Sequence, residues 1–243
     1  YQIAPFVDEN LRDIHLVMDT QELAATPVPV YFCPSRRAPT SNAFSQGFYI
    51  DYAAAIPNRS RTQMGDSSFE VYLDRGCGRP DFWGGDTGHF NPRPAEALGD
   101  RFTGFWGVVV RSDLLPPAFA QRRLGYYQPI SHAQITDGMT RTLVVSEKWV
   151  SVDNYQTSSW HDDRGWTDGY DPDLLRSTIC ASIRDVEPGS AGFGDDGYRF
   201  GSAHPRGFNA AFADGAVRTI HYDIDLELFN RLGHRSDSEL VSP

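Results

Sequence analysis

Cysteine is scarce in this chain. Its 243 residues hold three, Cys33, Cys77 and Cys180. These allow one internal disulfide at most and leave a thiol over, with the pairing open. No Cys-x-x-Cys pair occurs, so no structural zinc site is expected. Long apolar runs are missing as well. No stretch approaches the roughly 18 uninterrupted apolar residues of a membrane span. The first fifty residues hold no basic stretch leading into an apolar one, so no signal peptide is expected within them. Basic charge is in deficit: 22 Lys and Arg stand against 32 Asp and Glu, a net charge of −10. Nucleic-acid binding needs a basic stripe, so no nucleic acid is expected as a partner. With no basic run, an anionic membrane surface is a poor partner too. Cations and cationic surfaces are attracted instead. Signatures of nucleophilic catalysis and phosphate cradling are also lacking. No Gly-x-Ser-x-Gly occurs, no Gly-x-Gly-x-x-Gly follows a strand, and no Cys–His pair has a protease-like local context.

What is present is globular. Hydrophobic residues make up 40% and aromatics 13% of the chain, which excludes a disordered tail. The length suits one domain over residues 1–243 and suffices to bury roughly 70% of the unfolded surface. Val7, Leu11, Ile14 and Met18 recur at helical spacing, so a helix is expected over 8–18, capped by Asp8. Strands are expected over 28–33, 48–54, 103–111 and 141–150, all rich in β-branched or aromatic residues. Residues 58–100 and 151–200 read as long loop insertions. Asp214-Gly215 between two apolar runs predicts a hairpin with a two-residue turn. That register sets Phe212 opposite Val217 and Phe208 opposite His221, with Phe208, Ala210, Phe212 and Val217 on the core face. A last helix is expected over 225–232, capped by Asp225 and closed by Gly233. The fold class is α+β: a β-dominated antiparallel sheet, pilin-like or sandwich-like, with short terminal helices and long loops.

Four segments then carry a family resemblance. They are YQIAPFVDENL at the start followed by VPVYFCPSRR at 28–37, ITDGMTRTLVVSE at 135–147, WTDGYDPDLLR at 166–176, and FGSAHPRGFNAAFADG at 200–215. In the last, nine residues separate His204 from Asp214-Gly215. In this order they resemble the large bacterial family of pilin-like surface proteins with a prepilin-type N-terminus and a C-terminal His-x9-Asp-Gly motif. The core of that family has no assigned function and sometimes carries a solute-binding-protein label. The resemblance implies secretion, a cell-surface or extracellular location in the bacterial envelope, and a pilin-like or pseudopilin-like role. It also implies that the chain starts just after the family's apolar N-terminal helix. Membrane attachment would come only through that helix.

Several residues are candidates for chemistry. The stretch 160–173 holds five carboxylates with Gly and Pro between them. Asp163, Asp168, Asp171 and Asp173 are the candidate ligands of a Ca²⁺ ion, which takes six to eight oxygens from a loop that can curl. The EF-hand spacing is absent, and a solvated acidic loop with local Asx turns is the plainer alternative. His204 is expected to organise its own loop near Gly201 and Ser202. Asp214 and Gly215 are explained by turn chemistry, as are Asp137 and Gly138. Glu147 reads as a buried anchor, to Arg or to amides of the 137–138 turn. Trp83, Trp166 and Tyr170 are candidates for stacking on a sugar or a partner, or for plugging a loop layer over the sheet.

The reading is therefore a secreted, non-enzymatic, pilin-like structural or assembly subunit, binding protein partners or itself. One alternative is a calcium-dependent carbohydrate- or ligand-binding module. The other is a metal-dependent hydrolase built on His161, Asp162, Asp163 and His204.

Overall fold

The computed structural model describes residues 20–75, 77, 82, 105–110, 130–187 and 196–238. The helix expected over 8–18 lies outside them. The first described helix is α1 (Thr20–Ala24). The segment expected as a strand over 28–33 instead makes a single 3-10 turn, Pro29–Tyr31. Pro29 explains the difference: it has no N–H for a ladder, and its fixed φ suits a first helical position.

Strand β1 (Tyr52–Ile56) starts later than the expected 48–54. Phe48 is left to bridge Ser41. Two short helices follow, α2 (Arg61–Met64) and α3 (Asp66–Tyr72). Strand β2 (Leu143–Glu147) falls inside the expected 141–150. Strand β3 (Leu175–Ser177) lies in the stretch read as irregular. Then come β4 (Ile183–Arg184), β5 (Gly201–Ser202), β6 (Gly207–Phe212), β7 (Val217–His221) and helix α4 (Leu226–Gly233). The main sheet has the order β3-β1-β2-β6-β7. All its pairs are antiparallel except β1–β3, and β4–β5 is a separate parallel pair. The class is α+β, with a mixed sheet in which antiparallel pairing dominates.

Residues 105–110, expected within a strand, are not one. Their backbone is spent elsewhere. The carbonyls of Phe105 and Gly107 accept from the Arg235 guanidinium, and that of Trp106 accepts the Arg235 N–H.

The hairpin forms, but with a three-residue connection, 213–215. The Phe212 N–H donates to Ala216 O at 2.9 Å, and the Gly215 N–H donates to Phe212 O at 2.9 Å. Gly215 alone takes the left-handed conformation, φ +83°, as in a turn ending on a G1 bulge. The expected two-residue turn would have needed that conformation at Asp214 as well. The extra residue moves the register, so Phe208 faces Ile220 and Ala211 faces Val217. A one-residue slip exchanges the faces. Phe208, Ala210 and Phe212 stay in the core, but Val217 points out and is 68% exposed, while Ile220 is buried.

One face of the sheet buries Ala53, Ala55, Leu143, Phe208, Ala210, Phe212 and Ile220 against Phe200 and against Phe229 of α4. Asp225 caps that helix by accepting the Leu228 N–H at 2.9 Å. The other face buries Ala54, Ile56 and Leu175 under Phe82 and Tyr170. Strand β1 is covered on both sides, which is why it reads Ala-Ala-Ala-Ile rather than alternating. Cys77 and Cys180 form a disulfide across 103 residues of chain, and Cys33 is a buried free thiol. No described helix is long and apolar enough to cross a membrane.

Candidate functional site

The 3-10 turn and Pro34 lead directly into Arg36 and Arg37, both buried. Arg36 pairs with Asp185 at 2.7 Å and donates to Lys148 O at 2.7 Å and Gly201 O at 3.3 Å. Arg37 donates through Nε to Asp51 Oδ1 at 2.9 Å and pairs with Asp162 Oδ2 at 2.8 Å. The other oxygen of Asp162 meets Lys148 Nζ at 2.8 Å, and the same ammonium donates to Asp173 O at 2.7 Å. Burial alone would raise the Asp162 carboxyl, but Lys148 and Arg37 outweigh it and hold that group well below the usual carboxylate range. This buried chain of charges joins β1, the end of β2, the 155–173 loop and the end of β4.

The acidic loop curls next to it. Asp173, fully buried, accepts on Oδ1 the N–H groups of Asp163, Arg164 and Gly165, at 3.1, 3.2 and 2.9 Å. Gly165 is required here: its φ is +79°, and a Cβ would fall 1.9 Å from Phe48 O. The fold brings carboxylate oxygens of Asp168, Asp171 and Asp173 within 4.8 Å of one another. Oδ2 of Asp173 and Oδ2 of Asp168 are buried and accept no hydrogen bond. Burial, then the charge of Asp168, pushes Asp171 up to about 7. Burial, then Asp173, pushes Asp163 up to about 6. Asp163, expected as a fourth ligand, is not in this described cluster, although its carboxyl interacts with that of Asp173. The trio is a compact oxygen-only donor set in which burial disfavours the ionised forms of Asp168 and Asp171, and a hard cation would relieve that cost.

A second convergence lies at the last residue of β2, next to Lys148. Glu147 is fully buried, and its Oε2 accepts the Asn209 N–H of β6 at 2.7 Å. Its Oε1 accepts no hydrogen bond and lies 3.4 Å from His204 Nε2. The same Nε2 lies 3.7 Å from Cys33 Sγ. Burial, then the Glu147 carboxylate, pushes the thiol up to about 11, the opposite of an activated nucleophile.

The remaining sequence candidates fall as follows. The His204 backbone organises its loop: its N–H donates to Ser202 Oγ at 3.2 Å and its O accepts Tyr222 OH at 2.9 Å. Its side chain, however, turns away to Glu147 and Cys33. Glu147 is anchored by Asn209, not by the 137–138 turn. Asp137 instead accepts the N–H groups of Asp237 and Ser238, and Gly138 takes φ +99°. Asp214 accepts the Ala216 N–H and pairs with Arg218. Trp83 lies outside the described residues. Trp166 is 7% exposed, donates to Thr26 O and packs on Tyr31, so its rings do not face a ligand. Tyr170 is half-buried against Phe82 and Phe105 and donates to Phe82 O. Both aromatics plug the loop layer over the sheet. His161, Asp162, Asp163 and His204 do not come together in any one described cluster that could share an ion. Asp162 belongs to the charge network, His161 stacks on Trp149 and faces Arg176, and His204 lies with Cys33 and Glu147.

A protein-family profile described as a protein of unknown function (DUF1559) matches residues 3–227. The chain belongs to this family. No match is found among curated proteins or solved structures. In this DUF1559 domain, Arg36, Arg37, Asp51, Lys148 and Asp185 were not legible as site residues. The available signal was Arg36-Arg37 directly after an apolar turn and Pro34 in an acid-rich chain. Cys33 was one of three equivalent cysteines until folding set it beside His204.

Proposed function

We propose that this DUF1559 domain is an exported, non-enzymatic scaffold of pilin-like type, a structural or assembly subunit at the bacterial cell surface. The observation that carries this reading is the buried charge network of Arg36, Arg37, Asp51, Lys148, Asp162 and Asp185. Its charges are spent on one another and on backbone groups, tying segments distant in sequence into one body. The Cys77–Cys180 disulfide supports an oxidising, extracytoplasmic location. A domain carrying −10 repels its own copies, so assembly calls for cations or basic partners. Mechanical shearing of the source cells tests the reading. The protein is expected in the sheared surface fraction, in assemblies whose sedimentation changes with chelator or raised salt. Recovery only with soluble cytoplasmic proteins would contradict it.

A second element of the reading is a Ca²⁺ ion bound by Asp168, Asp171 and Asp173. Its support is the approach of the three carboxylates to within 4.8 Å of one another, together with the buried Oδ2 atoms of Asp168 and Asp173, which accept no hydrogen bond. Asp171 and Asp163 bind protons in the folded state at pH values where the unfolded chain has lost them. Their contribution to stability is therefore present near pH 4 and is lost as pH rises to about 7. Calcium should reverse this fall. Calorimetry should show binding that strengthens from pH 5 to pH 8, raises the melting temperature and disappears in Asp171→Asn. No heat and no thermal shift at pH 8 would remove the ion from the account.

A further inference from the structure

The Asp168 loop is not the only ligand set the fold assembles. We propose that Cys33, Glu147 and His204 form a second, chemically different metal site, for a thiophilic divalent ion of the zinc class. The three residues come from the end of the first 3-10 turn, the last position of β2 and the loop before β6, and their donor atoms lie within 4.8 Å of one another. Tetrahedral zinc with bonds of about 2.3 Å to sulfur, about 2.05 Å to nitrogen and about 2.1 Å to oxygen sets its ligands about 3.6 Å apart for S···N and about 3.4 Å for N···O. The structure has 3.7 Å between Cys33 Sγ and His204 Nε2, and 3.4 Å between that nitrogen and Glu147 Oε1.

A second observation points the same way. Glu147 is fully buried, yet Oε1 accepts no hydrogen bond and is aimed into the cluster. A buried carboxylate oxygen whose contact to the His204 ring nitrogen, at 3.4 Å, is too long for a good hydrogen bond is under-satisfied, and a metal ion would satisfy it. The ligands are held from behind. Asn209 N–H fixes Oε2, Asp51 Oδ2 accepts the Cys33 N–H at 2.8 Å, and Ser202 and Tyr222 fix the His204 backbone. Such supporting contacts orient ligands before an ion arrives. The His204 side chain, 34% exposed, gives the path from solvent and leaves the fourth coordination position on that side. The alternative use of the three groups, a nucleophilic Cys–His–Glu set, is disfavoured by geometry. Glu147 and Cys33 approach the same ring nitrogen, so the carboxylate does not orient the imidazole through its other nitrogen. The sulfur donor separates this site from the oxygen-only aspartate loop, which suits calcium. It also gives the spare thiol of a disulfide-bonded protein a role.

Cobalt(II) is the probe, because a cobalt–thiolate bond has its own charge-transfer absorption. Titration of the full, unreduced chain should give that band at one cobalt per chain, with zinc displacing it. His204→Ala removes a partly exposed ligand and should weaken binding by more than the roughly 10–100-fold that loss of a supporting contact costs. Cys33→Ser should abolish the band, and Asp171→Asn should leave it intact. A folded wild-type chain that shows no thiolate band would overturn the proposal. So would a band that survives in Cys33→Ser or is unaffected in His204→Ala. If Cys33→Ser does not fold, the wild type and His204→Ala still decide. Loss of the calcium response in Asp171→Asn with the cobalt band retained would separate the two sites.

Discussion

At His161 the ring stacks on Trp149 with centroids 5.7 Å apart, and its Nδ1 lies 3.3 Å from Arg176 Nη2. Nε2 lies 3.2 Å from Ser159 Oγ. Both contacts suit a neutral imidazole that carries its proton on Nε2, accepting from the guanidinium and donating to the hydroxyl. Burial, then the charges of Arg176 and Lys148, lowers its pKa to about 3. The unfolded chain takes up this proton near the ordinary value of about 6.5, while the folded chain does not. The stability that His161 contributes is thus complete above about pH 6.5 and is lost as pH falls toward 3. This window has the opposite sign to that of Asp163 and Asp171. Ring resonances of His161 in NMR should stay flat from pH 8 to pH 5. A midpoint near 6.5 would contradict the buried placement.

Among the elements, the β6–β7 hairpin separates register from pattern. Ile220 faces the core opposite Phe208, while Val217 is exposed. Ile220→Ala should therefore cost about 2–5 kcal/mol. Val217→Thr should change stability by less than about 0.5 kcal/mol, as an outward surface position does. Thermal or denaturant unfolding checks both, and a large loss at Val217 would restore the two-residue turn. The hairpin's place and its Phe208-Ala210-Phe212 face were legible because alternation and Asp-Gly are local signals. Its register was not, because two- and three-residue turns differ by one glycine conformation. Helix α4 and β2 were legible from periodicity and β-branching. Strand β3 was not. Leu-Arg-Ser has no alternating pattern, and it is a strand only because β1 offers it a parallel edge. The acidic loop was legible as a cation candidate from composition. Which aspartates converge depended on Asp173 gathering three amides, which spacing does not encode.

Across the whole molecule, buried charge does the work that hydrophobic clusters do separately on each sheet face. Asp51 is its centre. It takes Arg37 on Oδ1 and the Cys33 N–H on Oδ2, while its carbonyl accepts Lys148 N–H and an Arg36 N–H. One residue thereby links the acidic loop, the Cys33 cluster and the sheet. Buried pairs of this kind add little over a well-packed apolar replacement, but removing one partner strands the other. The disulfide, closing 103 residues of sequence, joins the 77 and 180 regions independently of this network. If the charges were poised for a reaction, neutralising one would relieve strain and leave stability unchanged or raised. If they hold a scaffold, neutralisation should unfold it. Urea unfolding of Asp51→Asn against the wild type is the direct measurement. The scaffold account predicts a loss of about 3–5 kcal/mol, seen as a lower midpoint at unchanged slope. An equal or higher midpoint would contradict it.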